Sequence, residues 1–172
     1  MAAFTECFSG SNDWIDDPEF RKLTPPFAVG AARDSRHPLL VVGIAVEPDH
    51  FERIRQANGS PRLADVPAEQ DAIEFELHFG GEDDLDILTT SDSRGSGAIA
   101  RYLRKFGEGI QQIEVSVSDV DRATKLLSAR SSVSPIYPVA RAGADQTRVN
   151  FFLLPSASGK KCLIELVEPA AR

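Results

Sequence analysis

The chain repeats one pattern of secondary structure twice, and this duplication constrains its fold more than any other feature. In the first half, the apolar run LLVVGIAV is followed by the helical pattern PDHFERIRQA and by the strand patterns IEFELHF and LDILT. In the second half, the strand pattern IQQIEVSV precedes a helix that is capped by Asp119 or Ser118 and runs through Ala129, and VNFFLL and CLIELVE follow. Each unit is too small to bury a core alone, so we expect the two to pair their sheets around a shared cleft.

Breaks in this pattern divide the chain into four segments. Residues 1–38 form an N-terminal extension, 39–90 a first βαβββ-type module, 91–97 a Ser/Gly linker, and 98–172 a second βαβββ-type module. The second module begins with the helical stretch AIARYLRK and has an additional short extended piece, predicted over 135–139.

The N-terminal extension is rich in aromatic side chains that follow no regular period: Phe4, Phe8, Trp14, Phe20 and Phe27. Disordered tails are usually poor in aromatic residues. We therefore expect this arm to pack against the domain or against a partner subunit, with a disordered tail as the alternative.

Charge and apolar patterning exclude several classes of partner. The 172 residues carry a net charge of −7, which excludes a uniformly basic surface for nucleic acid. No apolar run approaches the roughly 20 residues that span a bilayer. The first 19 residues contain five acids and no Lys or Arg, unlike a secretory or mitochondrial targeting segment. We expect a cytoplasmic protein without a nucleic-acid or membrane partner.

The two cysteines do not form a framework. Cys7 and Cys162 are far apart, and they lack the spacing of a metal site. Cys162 lies inside an apolar run, as a small buried residue would. Free thiols in a reducing compartment are the simpler interpretation.

Two longer motifs resemble a known family. The segment YLRKFGEGIQQIEVSVSDVDRA is similar to the centre of methylmalonyl-CoA epimerases of the vicinal oxygen chelate superfamily, which also holds glyoxalases and bleomycin-resistance proteins. Their pattern there is close to FLxKxGEGLHHIAFxVxDIxxA. The tail GADQTRVNFFLLPSASGKKCLIELVE resembles their GAxGxxVAFLHPxxxxGxLIELVE, and LLVVGIAV resembles their first strand, HIGIAV, more loosely. The resemblance is specific over about 98–168 and implies a glyoxalase-like α+β fold, with paired βαβββ modules that form a curved sheet around a cleft.

The resemblance also implies positions for a metal site in that cleft. The two family histidines fall on Val41 and Gln112, and the remaining two ligands fall on Asp86 and Glu165. Val41 has no donor atom, and ions such as Co²⁺ or Zn²⁺ favour imidazole. Asp86, Gln112 and Glu165 would suit a hard ion completed by water. We expect no tightly held transition metal, and a weakly bound divalent ion and no metal both stay open. Val41, Asp86 and Gln112 are also expected at the binding cleft.

In these epimerases a carboxylate on each side of the acidic carbon removes and returns a proton. The resemblance places these roles on Glu165 and, within VPAEQD, on Glu69. A solvated loop acid explains Glu69 more simply. Glu165 is different, because a carboxylate inside the apolar run CLIELVE needs a reason to be there. The same argument applies to Asp86 between Leu85 and Ile87.

Basic residues provide weaker signals. Arg101, Arg104 and Lys105 share one helix, and Lys160 and Lys161 form a turn. Either group could meet the phosphates of a CoA-like ligand, although solvated surface is the ordinary role of such residues. His78 lies on the polar face of its strand, where simple solvent exposure is the usual explanation.

These observations favour an enzyme that acts on a small molecule. The first hypothesis is an epimerase, isomerase or lyase that acts on a carbon acid next to a carbonyl or thioester, with an acyl-CoA-like substrate. The second is a metal-free member that binds a small molecule or tailors a secondary metabolite. The third is a degenerate, non-catalytic homologue. We predict the first, and the sequence leaves a homodimer open.

Overall fold

The computed structural model describes residues 17–24, 40–79, 84–131, 133–155 and 161–170. Within them the protein is α+β. The helices are α1 (Pro18–Arg21), α2 (Pro48–Ala57), α3 (Ala98–Phe106) and α4 (Val120–Ser131), and 3₁₀ turns lie at Ala68–Gln70 and Ala144–Gln146. The strands are β1 (Leu40–Ala45), β2 (Ile73–His78), β3 (Asp84–Thr89), β4 (Gly109–Ser116), β5 (Arg141–Ala142), β6 (Arg148–Pro155) and β7 (Lys161–Glu168).

All seven described strands belong to one curled, mixed sheet in the order β2-β3-β1-β4-β7-β6-β5. The two modules meet where β1 pairs antiparallel with β4. On one side β1 runs parallel to β3, and on the other β4 runs parallel to β7. Strands β2 and β6 pair antiparallel with β3 and β7. The two halves are therefore related by an approximate two-fold axis between β1 and β4, and the paired glyoxalase-like architecture is confirmed.

The convex face of the sheet holds the core. Under α4, the side chains of Ile113, Ile164 and Phe152 lie side by side on β4, β7 and β6, and all are at most 1% exposed. Under α2, Phe51 contacts Phe75 edge to face at 4.8 Å between ring centroids. Because side chains alternate along a strand, the residues between these core positions face the concave side. Burial of the convex face therefore fixes which residues line the cleft.

Helix α3 packs on the concave side instead. Its Ile99 and Leu103 contact Ala45 and Leu88, which lie on the concave face of β1 and β3. The helix begins after Gly97 and ends at Gly107, whose φ of 73° suits glycine. Helix α3 thus closes one end of the cleft.

Part of the N-terminal extension packs on the second module. Asp17 caps α1 by accepting hydrogen bonds from the backbone amides of Glu19 and Phe20. Phe20 and Leu23 are 1% and 5% exposed and join the core under α4. An ion pair of 2.8 Å between Arg130 and Asp17 adds a surface contact. Phe4, Phe8, Trp14 and Phe27 lie outside the described residues, as does Cys7.

The predicted extended piece at 135–139 is wrong. Residues 136–139 form a series of bends, and the short edge strand β5 follows at Arg141–Ala142. Pro135 and Pro138 have no backbone N–H to donate to a strand ladder. One backbone hydrogen bond, from Ile136 to the Phe151 carbonyl, links this segment to β6.

Cys162 is buried, with 8% of its surface exposed, as expected for a small residue in an apolar run. No helix within the described ranges has both the length and the apolar character needed to cross a membrane.

Candidate functional site

The concave face of the sheet forms the floor of an open cleft of about 1950 Å³. Strands from both modules contribute to this floor. Helix α3 borders it at one end, and the segments 61–72 and 136–147 contribute to its walls. A cleft of this size accommodates a small-molecule ligand.

Five acidic side chains from four strands line this cleft, and we call them the carboxylate floor: Glu74 and Glu76 on β2, Asp86 on β3, Glu114 on β4 and Glu165 on β7. The strand register brings them together. Glu76 pairs with Asp86, and Glu114 pairs with Glu165. Since cross-strand partners point to the same face of a sheet, the two modules place their acids in one patch.

Gln112 joins two members of the carboxylate floor. Its Nε2 donates to Glu165 Oε2 at 2.6 Å and to Glu114 Oε1 at 3.1 Å. The amide lies next to Gly43, where a Cβ atom would come within 2.5 Å of Gln112 Cγ. Glycine at position 43 therefore leaves the space that the Gln112 side chain occupies.

Burial and mutual repulsion raise the pKa values of these acids. Desolvation, followed by the nearby charges of Glu114 and Glu74, raises the pKa of Glu165 well above its usual range, while the Gln112 hydrogen bond opposes the shift. Desolvation and the same two neighbours likewise raise the pKa of Asp86. The half-buried Glu74 has a pKa of about 8, and the half-buried Glu114 has one of about 7, with desolvation the main cause of both.

The cluster has little compensating positive charge. Among the described residues, no basic side chain forms an ion pair with Glu74, Asp86, Glu114 or Glu165. In addition, Asp86 Oδ1 is buried without a hydrogen-bond partner. The floor is therefore strongly acidic and incompletely satisfied.

Glu69 lines the same cleft from a different element. It lies on the 3₁₀ turn Ala68–Gln70 and is exposed. Gln70 anchors this turn by donating from Nε2 to the Ala142 carbonyl at 2.8 Å. Carboxylates thus reach the cleft both from the sheet, at Glu165, and from the segment before β2, at Glu69.

A set of contacts that we call the edge clasp connects the two edges of the sheet. Arg62, before β2, donates to both carboxylate oxygens of Asp145, after β5, at 3.0 and 2.5 Å. The backbones of Asp65 and Asp145 also bond, since the Asp145 N–H donates to the Asp65 carbonyl at 3.0 Å. The Arg62 hydrogen bond lowers the pKa of Asp145. The edge clasp therefore spans the mouth of the curled sheet.

The basic residues singled out in the sequence have different positions. Arg101 and Lys105 on α3 line the cleft. Arg104 is turned toward the linker, where its Nη1 donates to the Ser93 and Gly95 carbonyls. Lys160 lies outside the described residues, as does the side chain of Lys161. Two basic side chains of this helix thus border the cleft, and Arg101 Nη1 also donates to the Ser96 carbonyl.

The residues present do not fit a transition metal. Val41 is 5% exposed, offers no donor and is not among the residues that line the cleft. The Gln112 amide nitrogen is directed toward two carboxylates. Within the described ranges, no three His, Cys, Asp or Glu side chains are arranged to hold a metal ion.

Sequence reasoning missed three of the five floor acids. Glu74 and Glu76 lie on the face of β2 that was interpreted as solvated, but pairing with β3 turns this face into a cleft wall. Glu114 is two residues beyond Gln112 and therefore shares its face of β4. His78 on the same face of β2 is exposed and lies 3.0 Å from Asp84.

Comparisons with known proteins give solved structures only. No family model matches the chain, and no curated protein matches its sequence. The crystal structure of a methylmalonyl-CoA epimerase from Mycobacterium tuberculosis is 34% identical, with a TM-score of 0.63 over 78% of this chain and 89% of that one. A point variant of the Streptomyces coelicolor enzyme, in complex with 2-nitronate-propionyl-CoA, is 25% identical, with a TM-score of 0.62 over 78% and 98%.

A third solved structure is a methylmalonyl-CoA epimerase in complex with methylmalonyl-CoA and NH₄⁺. It is 25% identical, with a TM-score of 0.62 over 78% of this chain and 95% of that one. The similarity therefore covers nearly the whole length of these proteins and more than three quarters of the present chain.

Proposed function

This chain belongs to the vicinal oxygen chelate superfamily, and we propose that it is an epimerase-type enzyme that transfers a proton at a carbon acid. The carbon acid lies next to a carbonyl or a thioester, whose conjugation stabilises the carbanion formed when the proton leaves.

The observation that carries this proposal is the presence of carboxylates on two different elements around one cleft. Glu165 lies on the floor, and Glu69 lies on the segment before β2. Inversion at carbon needs one base to take the proton from one face and a second acid to return a proton to the other. A molecule held between these two elements would have a carboxylate available on each side.

The environment of Glu165 supports its role as a base. The side chain is 9% exposed, and burial raises its pKa. A carboxylate with a raised pKa accepts a proton from carbon more readily than a solvated one. The Gln112 hydrogen bond of 2.6 Å fixes the orientation of the carboxylate. In this proposal Gln112 is a positioning residue, and Glu165 and Glu69 are the catalytic residues.

The likeness to the solved epimerases supports an acyl-CoA-like substrate. Two of those proteins are in complex with methylmalonyl-CoA or 2-nitronate-propionyl-CoA. In the present chain, Arg101 and Lys105 border the cleft, and basic side chains of this kind bind phosphate groups. We propose that they contact the phosphates of the carrier.

Exchange of the α-proton with solvent deuterium tests the proposal. A panel of methylmalonyl-, butanoyl- and 3-aminopropanoyl-CoA thioesters would be incubated in D₂O and followed by NMR. For a thioester that exchanges, Glu165→Gln and Glu69→Gln are each expected to slow exchange by at least about 100-fold. The control Glu52→Gln, an exposed acid on α2 outside the cleft, should retain the parent rate. Unchanged exchange in Glu165→Gln would remove this residue as the base.

A second candidate function is binding or tailoring of a small molecule without proton transfer. It is favoured by one observation: Val41 and Gln112 stand where the family histidines are expected. Retained binding of thioesters without α-exchange in any of them would support this alternative. The absence of both thioester binding and α-exchange would support a non-catalytic homologue.

Two expectations about the protein's setting stay predictions. The cytoplasmic location would be tested by fractionation of cells. The homodimer would be tested by sedimentation or light scattering of the purified chain.

A further inference from the structure

We infer that the carboxylate floor binds an organic cation, so that the molecule acted on carries an ammonium group beside its carbonyl or thioester. The ammonium would rest on Asp86 and Glu114, which leaves Glu165 as the base. This inference rests on the proposed function and goes deeper, because it names the substrate class as an amine-bearing carbon acid.

The charge balance of the cleft is the first argument. The strand register places Glu114 beside Glu165, and Gln112 Nε2 bonds to both, while Glu74 and Asp86 line the same cleft on neighbouring strands. None of the four has a basic partner among the described residues. Clustered acids with reduced access to water are costly unless a positive charge or protons compensate them. A cationic ligand supplies that charge.

The second argument is an unsatisfied atom in the middle of the floor. Asp86 is 5% exposed, it lines the cleft, and its Oδ1 has no hydrogen-bond partner. A buried acceptor left in this state is destabilising. An ammonium group carries three donors and no acceptor, so it can satisfy Asp86 and neighbouring carboxylates together.

The third argument separates an ammonium from a metal ion. Metal ions need several donors at about 2.0–2.6 Å around one point. No three acidic, His or Cys side chains of the described residues have such an arrangement. An ammonium accepts longer contacts of about 2.7–2.9 Å and irregular geometry. It is therefore compatible with acids distributed over four strands.

The aromatic wall beside the floor points to the same class of ligand. Phe151 pairs with Glu165 across β6 and β7, and both line the cleft. Tyr137 contacts Phe151 edge to face, with 6.1 Å between ring centroids, and the Arg141 guanidinium already covers Tyr137 at 3.9 Å from its ring centroid. Aromatic faces attract cations. By contrast, a carboxylate on the ligand would meet five acids at this place.

Binding of three inert CoA thioethers tests the inference without requiring turnover. The three compounds place a different group at a similar distance from the sulfur. S-(3-aminopropyl)-CoA carries an ammonium, S-butyl-CoA a methyl group and S-(3-carboxypropyl)-CoA a carboxylate. Calorimetry in EDTA at about pH 8 is expected to show the aminopropyl compound binding at least tenfold more tightly than the butyl compound. The carboxypropyl compound should bind most weakly. Equal affinities would overturn the inference.

Variants of the carboxylate floor show where the ammonium group binds. Glu114→Gln and Asp86→Asn should each reduce the preference for aminopropyl over butyl by at least about tenfold, since each removes one charge-assisted contact. Both are nearly isosteric, and thermal melting would verify that they fold. The control Glu52→Gln should keep the full preference. A preference that persists in both floor variants would place the cation elsewhere and overturn the inference.

A metal arm and an exchange arm complete the test. If Mg²⁺, Mn²⁺ or Ca²⁺ increases the affinity for the carboxypropyl compound and displaces the aminopropyl compound, the floor is a metal site and the inference fails. Equal α-exchange of 3-aminopropanoyl- and butanoyl-CoA, without a charge preference in binding, would leave the proposed function standing and overturn the inference. A charge preference without exchange in any thioester would support the cation site and overturn the proton-transfer function.

Discussion

The half-buried carboxyls of Glu74 and Glu114 make the stability of this protein dependent on pH. Their folded pKa values are about 8 and about 7, against an ordinary 4.5, because burial penalises the charged forms. The folded state therefore binds protons more tightly than the unfolded chain. The other floor acids, Glu76, Asp86 and Glu165, face them, and burial shifts the pKa values of Asp86 and Glu165 in the same direction.

From this linkage we expect the protein to be less stable at about pH 8.5 than at about pH 6. Stability from these groups is greatest below their unfolded pKa, falls as pH rises from about 4.5 through about 8, and then levels off. Urea titrations across this range would measure the free energy of unfolding. In Glu114→Gln the slope should be shallower and the stability at about pH 8.5 higher. A parent protein whose stability rises over this window would contradict the assigned environment.

Residue patterns predicted part of the candidate site. Asp86 and Glu165 stand out as acids inside apolar strands, and the structure places both on the concave face together with Gln112. Glu74 could not be assigned in the same way, since the alternation in IEFELHF shows two faces without showing which one meets the cleft. That depends on β2 pairing with β3, a contact between strands that one strand's sequence does not encode.

At the scale of the elements, strand β7 is the main support of the second module. It lies between β4 and β6, and its Ile164 is fully buried against Ile113 and Phe152. We expect Ile164→Ala to reduce the free energy of unfolding by about 2–4 kcal/mol, because it leaves a cavity in a packed core. The matched control is Leu153→Ala on β6, at a side chain that is 41% exposed, which should cost clearly less. A loss below about 0.5 kcal/mol in Ile164→Ala would contradict this packing.

Elements with a strong local signal were predicted closely. The helical pattern PDHFERIRQA coincides with α2, which begins at its proline and ends before Asn58. The segment at 135–139 was predicted to be extended, but its backbone bends over 136–139 and a short edge strand follows it. Pro135 and Pro138 cannot donate the ladder hydrogen bonds that would hold this stretch in a strand.

At the scale of the whole molecule, the duplication explains why the site needs both modules. The two-fold axis between β1 and β4 places β3 and β7 at equivalent positions, so Asp86 and Glu165 approach the same cleft from opposite halves. The duplication was visible in the sequence. The sequence also shows that Val41 in the first half and Gln112 in the second stand in place of the family histidines. These two positions determine the expected metal content.

We expect the purified protein to hold no stoichiometric cobalt, nickel or zinc after dialysis. The physical reason is that the positions of the family histidines hold an alkyl group at Val41 and an amide at Gln112, while oxygen donors alone bind these ions weakly. Elemental analysis would measure this directly, and a thermal-shift scan over divalent ions would show any weaker binding. One equivalent of such a metal retained in the parent and lost in Glu165→Gln would contradict the expectation.

The edge clasp provides the last prediction, because it joins the two ends of a sheet that is otherwise open. Arg62 and Asp145 are 72% and 42% exposed, so their ion pair contributes little to global stability. Asp145→Ala also removes the acceptor of the Asp65 amide, and this should release the segments 61–72 and 141–147 from each other. We expect amide hydrogen exchange in both segments to accelerate, S-butyl-CoA to bind more weakly, and the melting temperature to change little. Arg53→Ala, an exposed arginine on α2 that donates to the Asp49 carbonyl, is the control. Unchanged exchange in these segments would show that the clasp does not hold the cleft, whereas a large fall in melting temperature would show that the two sheet edges support the core itself.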